Sequence, residues 1–157
     1  MTESRRTRGL TVVAQDPGVM TGTGADRRIL TAPVHLPYEE VQGGPTGHRV
    51  HVVDYDSSTR TFYRPAELPA PTADDDLAVP SDATILGEPT FHAQNVYGLV
   101  MRTLARFEFA LGRRVGWSFE AHQLKVVPHA FEAANAFYSP DTESLLFGYF
   151  SRNDGQV

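Results

Sequence analysis

The sequence predicts an α+β fold, a mostly antiparallel sheet packed on one dominant long helix. Apolar residues at Val96, Val100, Leu104, Phe107 and Leu111 recur at the period of one helix face. Strand-prone stretches flank the turn formers Asp56, Ser57, Ser58 and Thr59, and two more flank Ser139, Pro140, Asp141 and Thr142. Each arrangement is the sequence signature of a β-hairpin.

The chain has 157 residues, enough for one domain with its own core, since a chain of this size buries roughly two-thirds of its unfolded surface. Its 11 prolines and 13 glycines predict short strands, few helices and many loops. Residues 1–28 are rich in Thr, Gly and Arg with little periodicity, so most of this stretch is expected to be a disordered tail, with a short strand around Leu10, Thr11, Val12 and Val13 as the exception. The arginines at 5, 6, 27 and 28 belong to that solvated tail.

Residues 29–157 are expected to form a single domain. The apolar run 29–36 is interrupted by Pro33, which suits an edge strand or an extended arm. Residues 48–55 and 61–63 read as the strands of the first hairpin. The Pro- and Ala-rich stretch 65–80, with its acidic triplet Asp74, Asp75 and Asp76, reads as an irregular surface connection. The helix is expected at about 90–111, with Pro89 before it and Gly112 after it, as helix starts and stops prefer. A strand at 124–127 is bounded by Pro128, and the second hairpin follows at 135–147.

The formal charge of −5 argues against a nucleic-acid partner, because phosphate-binding surfaces carry an excess of Lys and Arg. No apolar run approaches the ~20 residues that span a bilayer, so no membrane partner is expected. The absence of cysteine excludes disulfides and thiolate chemistry. Together with the lack of a signal-peptide pattern, it makes a cytoplasmic location the expectation.

Six histidines raise the question of a metal. His48 and His51 fall on opposite faces of a strand. His122, His129 and Glu132 lie near one another in sequence but without the helical spacing that aims two imidazoles at one ion, and neither H-E-x-x-H nor H-x-x-E-H occurs. The run from Asp54 to Ser58 starts like a calcium loop, yet Thr59 stands where the loop needs glycine and Pro65 where it needs a bidentate glutamate. No G-x-S-x-G elbow and no phosphate-binding G-x-x-x-x-G-K-[ST] is present.

Taken as one unit, residues 92–150 carry a helix with Asn95, Val96, Tyr97, Phe107 and Phe109, a polar turn at 113–117, the strand at 124–127, and a hairpin. The hairpin has Asn135, Ala136, Phe137 and Tyr138 on one strand and Leu145, Leu146, Phe147 and Gly148 on the other. This order resembles the N-terminal domain of thermolysin-like zinc metallopeptidases, the gluzincins. The resemblance implies that the first hairpin strand is the rim of a cleft that takes an extended peptide by β-augmentation. Asn135 and Ala136 would then contact substrate, and Phe137 and Tyr138 would alternate between core and cleft.

The resemblance also implies a zinc site on later helices, which would belong to a longer parent. No cofactor and no catalytic residue is expected in this chain, since without zinc there is no activated water. The chain is thus expected to be the inactive front portion of a metallopeptidase-like protein, a fragment with partners in an extended peptide or the missing C-terminal part, and with a tendency to self-associate. The alternatives are a small non-enzymatic module that binds extended peptides or a partner through an exposed strand, and a structural domain.

Overall fold

A computed structural model describes residues 7–70 and 77–150. In chain order the strands of the first part are β1 (Thr7–Val13), β2 (Met20–Thr21), β3 (Arg28–Ile29), β4 (Thr31–Pro37), β5 (Val50–Val52), β6 (Tyr55–Asp56) and β7 (Thr61–Phe62). Two helices follow, α1 (Asp82–Gly87) and α2 (Pro89–Leu111), and then β8 (Leu124–Glu132), β9 (Ala136–Ser139) and β10 (Ser144–Tyr149). The fold is α+β, with several small sheets around one long helix.

Helix α2 is the centre of the core. It contacts both the antiparallel ribbon β1–β4 and strands β5 and β8 of the four-stranded sheet. Leu10, Val12, Val34 and Leu36 of the ribbon join Val50, Val52, Leu124 and Val126 of the sheet in one buried cluster with Ala93, Tyr97 and Met101. Close approach to the ribbon depends on Gly98: a Cβ there would sit 2.9 Å from Val12 Cγ1 and 3.5 Å from Leu10 Cδ1. The helix begins with Pro89 in its first turn and stops at Gly112, which adopts the left-handed conformation at φ 63°.

The buried stripe of α2 is rotated from the one the spacing predicts. Leu104 is buried and Val96 and Val100 are half-buried, but Phe107 is 60% and Leu111 52% exposed. Tyr97 and Met101, which widen the expected stripe, are buried, and Phe91, Ala93 and Gly98 face the core beside them. A wide apolar helix surface offers more than one candidate stripe, and the position of the ribbon decides which one is covered.

The disordered tail expected at 1–28 is corrected for the described residues. Thr7–Val13 is a core strand in register with Thr31–Pro37, with Leu10 opposite Val34. Thr11 Oγ1 donates to Ala78 O at 2.9 Å, which ties this strand to the loop before α1. The strand expected around Leu10 to Val13 is present and longer, with Arg8 to Val12 buried in a row, and the domain therefore includes β1 rather than starting at residue 29. Residues 1–6 and 151–157, and the acidic triplet at 74–76, lie outside the described residues.

The largest sheet, in the order β5-β8-β10-β9, also departs from the mostly antiparallel expectation. β5 with β8 and β8 with β10 pair in parallel, and β10 with β9 is antiparallel. The expected hairpin is present, with Leu145 opposite Tyr138 and Phe147 opposite Ala136. It folds so that β10 enters between β8 and β9, which makes β10 parallel to β8. The turn at 56–60 likewise joins β6 and β7, with Tyr55 opposite Phe62.

Strand β8 runs through Pro128, where the sequence suggested a stop. Pro128 lies beyond the segment 124–126 paired with β5, and the register with β10 jumps there, from Leu146 opposite Val127 to Gly148 opposite Phe131. A proline, which has no N–H for the ladder, is accommodated at such an irregularity.

Candidate functional site

Two places on this scaffold carry chemistry-bearing groups: the outer edge of β9 and a buried cluster behind the β8 irregularity. β9 is the last strand of its sheet, and among the described residues no strand pairs with its other edge. Asn135 O accepts from Gly148 N–H at 2.8 Å, and Asn135 Oδ1 accepts from Ala136 N–H at 2.9 Å. Ladder hydrogen bonds alternate along an antiparallel strand. With Asn135 bonded toward β10, Phe137 and Ser139 also point their backbone groups inward, and Ala136 and Tyr138 point theirs outward.

The open edge therefore offers the carbonyls of Ala136 and Tyr138 and the amide of Tyr138. The side-chain amide of Asn135 stands beside them. Phe137 is 46% and Tyr138 39% exposed, so the expectation that this pair alternates between core and cleft is corrected: neither ring is in the core. Phe137 instead stacks on Phe131 of β8, with ring centroids 5.6 Å apart. Two-sided solvation is the ordinary consequence of an edge position at the end of a hairpin.

Behind the sheet, the register jump in β8 accompanies a burial of His129 that strict alternation would not give. His129 Nδ1 lies 2.8 Å and 2.9 Å from the two carboxylate oxygens of Asp54, in the loop between β5 and β6. Its Nε2 lies 2.7 Å from His92 Nδ1 in the first turns of α2, and His92 Nε2 lies 2.7 Å from the Ile85 carbonyl of α1. Rings of Tyr63 and Tyr149 pack against His129 at 5.0 Å and 5.9 Å. Burial lowers the pKa of His92, and the carbonyl of Ile85 opposes that effect.

Asp56 forms the neighbouring knot. It accepts from Ser58 N–H at 2.8 Å, Thr59 Oγ1 at 2.7 Å and Tyr149 Oη at 2.7 Å. Burial works against its charge, but these donors outweigh it and hold the carboxyl at about 2. Tyr149 is pushed up to about 12 by the same hydrogen bond and by burial. The calcium-loop-like run is thus a turn whose second aspartate caps the turn backbone.

The histidines singled out from the sequence separate in space. His122 packs against His48, with ring centroids 5.7 Å apart, and its carbonyl accepts from Trp117 Nε1 at 3.2 Å. Glu132 is exposed at the end of β8. Asp54 and His92 went unnoticed as partners of His129, because they lie 75 and 37 residues away and share no motif with it. Only the tertiary fold joins them.

These residues do not fit a zinc ion. The facing nitrogens of His92 and His129 point at each other across 2.7 Å, where a metal needs about 2.0 Å to each separately. Among the described residues no group of three or more His, Asp or Glu side chains converges for a metal. No protein-family model matches the chain, and neither a curated protein nor a solved structure shows significant similarity to it. No neighbour therefore supports the likeness to thermolysin-like peptidases. Among the described residues no helix is long and apolar enough to cross a membrane.

Proposed function

We propose that the chain is the front portion of a zinc metallopeptidase-like protein and presents β9 as its substrate-edge strand, holding an extended peptide by backbone hydrogen bonds. What supports the peptide-holding part of this reading is the outer edge of β9, with which no strand pairs among the described residues, and Ala136 and Tyr138 face outward there beside the Asn135 side chain. Main-chain pairing of this kind binds many sequences, and side-chain contacts select among them. Phe137, stacked on Phe131, supplies an apolar contact on one face of the strand, and Tyr138 supplies one on the other.

Hydrolysis is assigned to zinc in a longer parent and not to any residue here. A small non-enzymatic peptide-binding module would use the same edge, so one experiment tests what both readings share. A dye-labelled Thr-Val-Thr-Val-Thr peptide is titrated with the chain and followed by fluorescence anisotropy. Tyr138→Pro removes an outward N–H at an edge position where proline is tolerated. Binding is expected to weaken about tenfold in that variant and to a similar extent when the peptide backbone is N-methylated. Equal binding of the methylated peptide, or no binding by the unaltered chain, would overturn the proposal.

A further inference from the structure

Three short contacts link Asp54, His129, His92 and the Ile85 carbonyl in a line, and the number of protons needed to make them can be counted. The Ile85 carbonyl can only accept, so His92 Nε2 carries a proton. The 2.7 Å contact between His129 Nε2 and His92 Nδ1 needs one proton between two nitrogens. The contact of His129 Nδ1 with the Asp54 carboxylate needs another. That makes three protons, whereas two neutral imidazoles and a carboxylate hold two.

We infer that Asp54, His129 and His92 form a buried proton-binding site, and that its third proton fastens α1 and the head of α2 to β8. With that proton the group is electrically neutral overall, the form that burial favours. Without it, one of the three contacts sets a lone pair against a lone pair at under 3 Å. The Asp54 carboxyl closes one end of the line at His129 Nδ1, and the Ile85 carbonyl closes the other at His92 Nε2. His92 passes the hydrogen-bond chain on to α1.

Charged and aromatic groups from every neighbouring element face the line. Asp56 acts through Tyr149 Oη from β6 and β10, and Glu88 acts from the head of α2; Tyr63 and Tyr149 face His129 with their rings, and Phe91 flanks His92. The device acts on α1 because Ile85 lies in the last turn of that helix, where carbonyls lack intrahelical donors. Ile85 also anchors the small cluster it forms with Ile29 and Phe91. Loss of the proton releases the polar half of that anchorage while the apolar half remains.

The sign follows from the count. The assembled line needs a third proton to make all three contacts, and the separated residues do not. The fastening is therefore complete at lower pH and is lost as pH rises through the release of that proton. The test is a pH titration of the full chain with 15N-labelled histidine, in which ring-nitrogen shifts report protonation while exchange of the Ile85 and Glu88 amides reports α1. The expected result is three protonated nitrogens of four at low pH and a single shared step to two. In the same step, α1 protection should fall about tenfold after correction for intrinsic exchange. His92→Gln, which keeps a donor toward Ile85, should remove the pH dependence of α1. A neutral pair with two protons while α1 stays fully protected, or a His92→Gln chain whose α1 keeps the same pH dependence, would overturn the inference.

Discussion

Asp56 shows how a residue can be legible in type and illegible in consequence. Its place among Ser57, Ser58 and Thr59 marks a turn, and that turn is present. The hydrogen bond from Tyr149, 93 residues away, is a product of the fold and leaves no trace in local spacing. Because the folded carboxyl sits at about 2 against an ordinary 3.8, its stabilisation is present above pH 3.8 and is lost as pH falls toward 2. Thermal unfolding of Asp56→Asn is expected to give a lower midpoint at pH 7 and a flatter decline between pH 4 and 2. An unchanged acid limb would show that Asp56 does not govern that range. His129 makes the same point: the sequence offered it as a neighbour of His122, and the fold gave it to Asp54 and His92.

At the level of elements, α2 and the 135–147 hairpin were readable because their signals are local. Helix period, Pro89, Gly112 and the Ser139-to-Thr142 turn act within a few residues of one another. The buried face of α2 was readable only in part: Tyr97, Met101 and Leu104 are buried as expected, but Phe91 competes with Phe107 and Leu111 for cover that only the β1–β4 ribbon and the sheet can supply. Pro128 misled for the opposite reason, as its local rule yields at the register jump of β8. Gly98 tests the packing directly. Gly98→Val would drive methyl groups into Val12, which is stiff about its first side-chain torsion. A loss of about 1–3 kcal/mol is expected in urea unfolding with an unchanged slope. Full stability in that variant would mean that α2 does not lie so close to the ribbon.

Across the whole molecule, the α+β class and the single long helix emerged from the sequence, whereas the parallel pairings and the place of β1 did not. Parallel pairing joins segments far apart in the chain, here 50–52 with 124–126, and no turn signal announces it. The expected self-association through exposed apolar surface rests on the same physics as peptide capture, since Phe150 is solvent-facing, as are Phe107 and Phe109, and no strand pairs with the outer edge of β9 among the described residues. The reading of β9 as a binding strand rests on Asn135, Ala136, Phe137 and Tyr138 and the resemblance they carry. Which of their backbone groups face outward required the register with β10.

The central claim, that β9 receives an extended backbone, is tested most directly by amide hydrogen exchange of the 15N-labelled chain with and without the Thr-Val-Thr-Val-Thr peptide. Bound peptide is expected to slow exchange at Tyr138 more than at Phe137, whose amide already faces β10. Protection confined to other surfaces, with the Tyr138 amide exchanging as fast as in the free chain, would contradict it.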